Sequence, residues 1–470
     1  MQNWPWRKSV SALAGLLLAA CGAAPEEGPP TEGPPTEGPP AESPATMVAQ
    51  AVRKGDGCPV CTIDSSLATA WMETVMGLVK TEKVLPPVAS RIYGYAGLSL
   101  YEALLPGMQP RYLSLGGQLN GLRTLPKPRL SARHYDWESV ANAALAVTTS
   151  HLFANATTAA HTTISTLAEA QLKQRRAAGV SVQKLLRSAW FGWEIGSAIV
   201  AYADADGFAQ TRGRPFTPQV GEQYWAPTGA APPTQLPAEP YWGTLRPFAL
   251  SRPEDCAPIP PIPFSSDTSS PFYEQARAVY DTASSLTAEQ KTIALYWADN
   301  AGQTATPPGH WIGIVSDLVR ADNLAVAAEA FALVGVTTAD AFIAVWSTKY
   351  QYNLLRPETY IRRYIDASWL PLMPTPQFPE YTSGHSGVSG ASATVLTGLF
   401  GVVPFTELTP VAAGMTPRSF ASFQAAAAEA AMSRLYGGIH FPMGNESGLA
   451  QGNCVGEKVL AATNTRATAL

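Results

Sequence analysis

No block of lysines and arginines stands anywhere in these 470 residues, and only 14% of the chain is charged. With a net charge of −4, the chain lacks the electrostatic footprint of a nucleic-acid binder, so that class of partner is excluded. Period-two alternation of apolar and polar residues is scarce, which argues against a sheet-built protein. HExxH, Walker and GxSxG motifs are all missing, so nothing marks a zincin, a P-loop enzyme or a serine hydrolase with a nucleophile elbow. Cysteine is sparse at five residues. Apart from Cys21 they are Cys58, Cys61, Cys256 and Cys454, an even number that reads as disulfides in an oxidising compartment, with three connectivities open. Cys58-Pro59-Val60-Cys61 also has the spacing of a redox or metal pair, but neither a βαβ context nor a second CxxC accompanies it.

Proline, by contrast, is plentiful at 41 residues, and its placement divides the chain. Arg7 and Lys8 precede the apolar run Val10 to Ala20, which is too short to span a bilayer. The run ends in Leu18-Ala19-Ala20-Cys21, which resembles the bacterial lipobox, so residues 1–21 are expected to be a lipoprotein signal peptide with Cys21 the lipidated residue. Three copies of Glu-Gly-Pro-Pro fill Glu27 to Pro40. Such a segment buries no core and prefers extended polyproline II, about 3.1 Å per residue. Residues 22–60 are therefore expected to be a linker holding the rest away from a membrane. Gly22, not Asp, follows the cysteine, and this leans toward the outer membrane. Export, with membrane contact only through the lipid anchor, is the expected localisation.

Beyond the linker, apolar residues recur at helical spacing over Ser65 to Lys80, Val88 to Leu105, Trp137 to Phe153, Thr157 to Ala178 and Val182 to Asp206. From Arg212 to Pro263 there are 13 prolines, with Tyr224-Trp225 and Tyr241-Trp242 among them. The aromatics argue for an ordered crossover rather than a loose loop. Helical spacing resumes near Pro271 and continues through Thr287 to Asp299, Gly309 to Arg320, Asn323 to Val334, Thr338 to Leu355, His385 to Leu399, Pro417 to Tyr436 and Asn445 to Ala462. The expected fold is all-α: an N-terminal half with the crossover (61–270) and a C-terminal catalytic half (271–465), two helical bundles packed as one unit.

Three segments of the second half carry chemistry. In Trp346 to Pro357, Lys349 and Arg356 are seven residues apart, which on a continuous helix puts both cations on one face, with the helix ending before Pro357. In Phe378 to His385, Thr382 or Ser383 caps a helix whose free N–H groups suit an anion, and Gly384 lets backbone approach a ligand. In Ser433 to His440, Arg434 lies near a helix end and His440 follows a glycine pair. Taken singly, these read as a solvated basic face, a simple N-cap and a structural histidine. The remaining histidines, His134, His151, His161 and His310, lack ligand spacing and read as surface or satisfied core residues, with His310 the best exception.

Taken together and in order, Lys-x6-Arg-Pro, Ser-Gly-His and Ser-Arg-x5-His resemble the superfamily of vanadium-dependent haloperoxidases and type 2 phosphatidic acid phosphatases. The likeness in helical pattern covers roughly residues 65 to 462. It implies that Lys349, Arg356 and Arg434 bind the oxygens of vanadate, with Ser383 and the Gly384 N–H as further donors. By the same likeness, His440 is the metal ligand, His385 the acid/base, Trp346 and Phe378 the apolar side of a halide pocket, and Asp299 an orienter of Arg434. Phe378 resembles the residue at that place in chloroperoxidases. The implied substrates are hydrogen peroxide and a halide. One departure stands out. Four residues after the last histidine the superfamily commonly carries Asp, and here Gly444 stands there, with Asn445 or Glu446 the nearest replacements. Its absence is expected to harm a phosphatase more than a vanadate site. A soluble acid phosphatase on the same residues and a non-catalytic surface lipoprotein remain the alternatives.

Overall fold

The computed structural model describes residues 57–228, 236–410 and 414–467. Cys21 and residues 22–56 of the expected linker lie outside them, whereas its last residues belong to the folded body, with Val60 fully buried. Helices dominate. The first half comprises α1 (Ser66–Thr81), α2 (Pro86–Leu104), α3 (Trp137–Leu152), α4 (Thr158–Ala177) and α5 (Val182–Asp204). The second comprises α6 (Pro271–Ser284), α7 (Ala288–Tyr296), α8 (Thr306–Leu318), α9 (Leu324–Tyr352), α10 (Pro357–Tyr364), α11 (Gly384–Phe400), α12 (Phe423–Tyr436) and α13 (Pro442–Ala462). Most begin on a side-chain cap. Asp136, Thr157, Ser181, Ser270, Thr287, Asn323, Ser383 and Ser422 each accept an N–H of the first turn, satisfying donors that the helix itself cannot.

Two expectations need correction. The segments read as separate helices at Asn323–Val334 and Thr338–Leu355 are one 29-residue helix, α9. Gly335 between them does not break it, because burial along almost its whole length outweighs the weak helix propensity of one glycine. This helix is long and apolar enough to cross a membrane (mean hydropathy 1.6), but 94% of its apolar window is buried inside the protein. It is the central core helix. The second correction concerns Pro417–Tyr436: residues Arg418–Phe420 pair antiparallel with Phe405–Glu407 as a small hairpin, and α12 starts only after Ser422.

The two halves do not separate into two cores. One apolar cluster runs from Cys58 to Val459, with a smaller one in the second half around Phe272 and Tyr360, and α9 packs along α2 and against α11 and α13. Close contact demands small residues: a Cβ on Gly97 of α2 would lie 2.3 Å from the carbonyl oxygen of Phe331. The proline-rich crossover is ordered where it is described. Buried Asp340 of α9 accepts the N–H groups of Phe248, Ala249 and Leu250, and Trp225 and Trp242 are buried. Two disulfides, Cys58–Cys61 and Cys256–Cys454, fix which of the three connectivities the chain adopts. The second ties the crossover to α13.

Candidate active site

Lys349 lies in the last turn of α9, which ends at Tyr352 with Asn353 left-handed at φ 48. Arg356 therefore does not share a helical face with Lys349; it is the N-cap residue of α10. The two cations nevertheless converge, because both are held by carbonyls of one loop. Lys349 Nζ donates to the Pro379 and Glu380 oxygens, each at 2.9 Å, and Arg356 Nε donates to Phe378 O at 2.9 Å. Arg434, in the last turn of α12, donates from Nη1 to Trp297 O and from Nη2 to the Met373 thioether at 3.1 Å. Lys349, Arg356 and Arg434 are all fully or almost fully buried. Burial pushes all three cations down: Lys349 well below the ordinary lysine range, Arg356 to about 10 and Arg434 to about 9.

His440 sits between them. Its Nδ1 is 2.8 Å from Glu380 Oε1 and its Nε2 is 3.1 Å from Arg356 Nη1. A guanidinium only donates, so Nε2 accepts, and the ring proton lies on Nδ1 and is given to Glu380. Burial first, then Arg356 and Lys349, holds His440 well below the ordinary histidine range, so the imidazole is neutral with its Nε2 lone pair turned toward the cations. The carboxylate missing at position 444 is thus supplied by Glu380. Neither Asn445 nor Glu446 replaces it: Glu446 is exposed, and Asn445 accepts from Ser386 instead. The glycine is the other half of the exchange, since a Cβ on Gly444 would lie 2.2 Å from Glu380 Oε1. The sequence reading missed Glu380. Its only signal was an acidic residue three positions before Ser383 coinciding with glycine at 444. Burial raises the Glu380 carboxyl to about 7 against the pull of Lys349 and Arg356.

Ser383 caps α11. Its Oγ accepts from Ser386 N at 3.3 Å and from Ser386 Oγ at 2.9 Å, which leaves its own O–H as a donor. The N–H groups of Gly384 and His385, in the first turn, have no partner within the helix. His385 is half-buried; its Nε2 is itself buried and meets no hydrogen-bond partner, while the ring also contacts the Ala298 carbonyl. Burial, then Arg434, keeps it well below the ordinary range and neutral. Trp346 and Phe378 pack with ring centroids 4.9 Å apart and planes tilted by 50°, with Lys349 Nζ 5.0 Å and Arg356 Cζ 4.9 Å from the Phe378 ring. They form an apolar wall on one side. Trp346 Nε1 and Tyr350 OH both donate to Ala238 of the crossover.

Asp299 does not hydrogen-bond Arg434. It accepts from His310 Nδ1 at 2.9 Å, and His310 Nε2 is 3.4 Å from Glu407. Burial alone would depress His310, but the two carboxylates overcome it and hold it at about 10. His310 is thus a core imidazolium, hydrogen-bonded to Asp299 and ion-paired with Glu407, and its charge offsets one of the carboxylates nearest Arg434.

Beside the three cations, then, Glu380 is the carboxylate that touches His440. Arg356 Nη2, Arg434 Nε and His385 Nε2 remain without partners among the described residues. Buried polar groups left unpaired, two guanidinium donors and one imidazole lone pair, are costly unless a ligand takes them. Three cations, a hydroxyl, free helix N–H groups and an imidazole lone pair define a site for a compact, multiply charged oxyanion inside a helical protein. Residues 329–468 match the family described as the VCPO second helical-bundle domain. No curated protein sequence matches the chain. Among solved structures, the first bacterial vanadium-dependent iodoperoxidase is 34% identical, superposing with a TM-score of 0.80 over 87% of this chain and 98% of its own. A holo-type bacterial vanadium-dependent chloroperoxidase matches at 16% identity and TM-score 0.62, covering 87% of this chain and 99% of that one. Its apo-type counterpart matches at 15% and 0.58, over 82% and 94%. The chain belongs to the bacterial vanadium-dependent haloperoxidases.

Proposed function

We propose that this protein binds vanadate at the Lys349–Arg356–Arg434–His440 cluster and oxidises halide with hydrogen peroxide. The observation that carries the reading is the set of buried cations, two of them with unpartnered donors, beside a neutral imidazole whose Nε2 lone pair meets Arg356 Nη1. Lys349, Arg356 and Arg434, with the Ser383 O–H and the Gly384 N–H, would hold the oxyanion's oxygens. His440 Nε2 would be the metal ligand, kept in that tautomer by Glu380. Bound vanadate supplies the Lewis-acidic centre at which peroxide is activated for two-electron oxidation of halide. His385 Nε2, neutral and unpartnered, takes the proton that an entering peroxide must lose and returns it to the departing oxygen. Positioned proton transfer of this kind contributes about 10²–10⁴-fold. Trp346 and Phe378 exclude water on the side where a large, weakly hydrated halide would lie. Likeness to the iodoperoxidase supports iodide among the halides accepted.

The Glu380–His440 pair also favours a second reading. It restores the carboxylate that a phosphatase needs behind its nucleophilic histidine, so Gly444 no longer counts against phosphomonoester hydrolysis. One experiment separates the two: halogenation of a phenol-type dye by vanadate-loaded protein with peroxide and iodide or bromide, beside phosphomonoester hydrolysis by vanadate-free protein. Halogenation only with vanadate is the expected result. Vanadate-inhibited hydrolysis without halogenation would replace the peroxidase reading. His440→Ala should abolish tight vanadate binding, whereas His385→Ala should retain it and lose turnover.

Export and anchoring are part of the same proposal. The Leu18-to-Cys21 box supports lipidation at Cys21, and the two disulfides suit an oxidising compartment. Cys21→Ala should move the protein from the membrane fraction to the soluble one. Unchanged membrane association would refute the anchor.

A further inference from the structure

One partner of Arg434 has no part in the functions given above. Met373 is only 4% exposed, and its thioether faces the guanidinium, Sδ to Nη2, at 3.1 Å. The side chain is fixed from two sides. Its backbone N–H donates to Gly437 O at 3.1 Å, and a Cβ on Gly437 would lie 2.2 Å from the Met373 methyl. The glycine pair after α12 therefore makes room for this methionine beside a cation of the anion site. A thioether is a weak acceptor for a buried guanidinium. It is also the softest two-electron reductant that touches the cluster.

We propose that Met373 is a turnover-dependent modification site, oxidised to the sulfoxide by hypohalous acid formed in the pocket, and that the sulfoxide lowers affinity for the oxyanion. The proposal rests on the haloperoxidase reading, which names the oxidant. The sulfur lone pair attacks the halogen of hypohalous acid; the halogen–oxygen bond breaks and hydroxide leaves. Water then adds to sulfur as halide departs. The sum is thioether plus hypohalous acid giving sulfoxide, halide and a proton, with sulfur oxidised by two electrons and the halogen reduced by two. The new S–O oxygen is a strong acceptor facing Arg434 Nη2, and a charge-assisted hydrogen bond there competes with the bound anion for the same guanidinium. Methionine sulfoxide is reversible by reductases, so the modification would be a brake rather than a terminal lesion.

The test uses the whole vanadate-loaded protein, hydrogen peroxide, bromide and a phenol-type dye in one tube. Peptide mass spectrometry then follows oxygen incorporation at each methionine against the amount of dye halogenated. Met432, 41% exposed, is the internal reference. Met373 should be oxidised ahead of Met432 during turnover. When reagent hypobromite is added from solution to vanadate-free protein, the order should reverse. Vanadate titration by calorimetry should then show affinity about tenfold weaker in the turned-over protein, unchanged by turnover in Met373→Leu and recovered by sulfoxide reductase. Dye halogenation with Met373 intact would overturn this inference and leave the haloperoxidase reading standing. Absence of any halogenation would overturn both.

Discussion

At the scale of single residues, an orienting carboxylate has moved. The usual place four residues after the histidine is empty of side chain, and Glu380, from the loop that also holds Lys349 and Arg356, takes over its contact with His440 Nδ1 at 2.8 Å. The exchange is tightly coupled, because any side chain at 444 collides with the Glu380 carboxylate. This predicts strong non-additivity. Glu380→Ala should weaken vanadate binding about 10- to 100-fold, the usual cost of losing the group behind a ligating histidine. Gly444→Asp alone should also be harmful. The double variant Glu380→Ala/Gly444→Asp should bind more tightly than either single one, since the aspartate then enters the space that the glutamate has left. Calorimetric affinities that simply add would show that the two positions are independent. Legibility follows the same division. Lys349, Arg356, His385, Arg434 and His440 could be read from sequence because each lies in a short motif of fixed spacing. Glu380 contacts a residue 60 positions away, and no local pattern records where its carboxylate points.

At the scale of elements, the segment between α7 and α8 does more than join helices. Trp297 O accepts from Arg434, and the Ala298 carbonyl meets His385. Asp299 then turns the chain at φ 47 and is held by His310, which stacks on Trp297 at 4.3 Å between ring centroids. Glu407, on the first strand of the hairpin, closes the set and also accepts from Tyr296 OH. The sequence placed a helix as far as Asp299. The helix in fact stops at Tyr296, and the next two residues present carbonyls to the site, a change of role that apolar spacing does not record. His310→Leu would leave two buried carboxylates without their cation, a loss of about 3–5 kcal/mol when one partner of a buried pair is removed. The pH dependence has a definite sign. His310 is held at about 10, above its unfolded value near 6.5. Its contribution to stability is therefore full below about pH 6.5 and is lost as pH rises toward 10. Urea midpoints at pH 7 and pH 10 should fall further in the wild type than in His310→Gln. Equal falls would remove His310 from the account.

At the scale of the molecule, the last helix is the piece that joins everything, and it is tied at three places. Its first turn supports the site: Gly444 O accepts the Ser383 N–H at 2.9 Å. Just past its midpoint Cys454 is linked to Cys256 of the crossover. Beyond it, Arg466 makes a bidentate pair with buried Glu329 of α9 and Tyr112 bridges to the same residue's backbone. The periodicity of α13 was plain in the sequence, but its pairing was not, since four cysteines left three connectivities open. The two disulfides differ in what they constrain. Cys58–Cys61 closes a separation of 3 residues, whereas Cys256–Cys454 closes one of 198. In the chain-entropy account the long closure is worth about 5 kcal/mol, with native-state strain able to reduce it. Cys256→Ser/Cys454→Ser should therefore lower the Tm by on the order of 5 °C. It should also weaken vanadate binding, because the freed α13 carries Gly444 beneath the α11 N-terminus. Cys58→Ser/Cys61→Ser should do much less to Tm and leave vanadate affinity unchanged, for that pair lies at the start of the described chain and touches no site residue. Thermal scans with calorimetric vanadate titration on both double variants give the comparison. If both pairs shift Tm equally, or if the long-range pair lowers Tm without touching affinity, the link between α13 and the anion site fails.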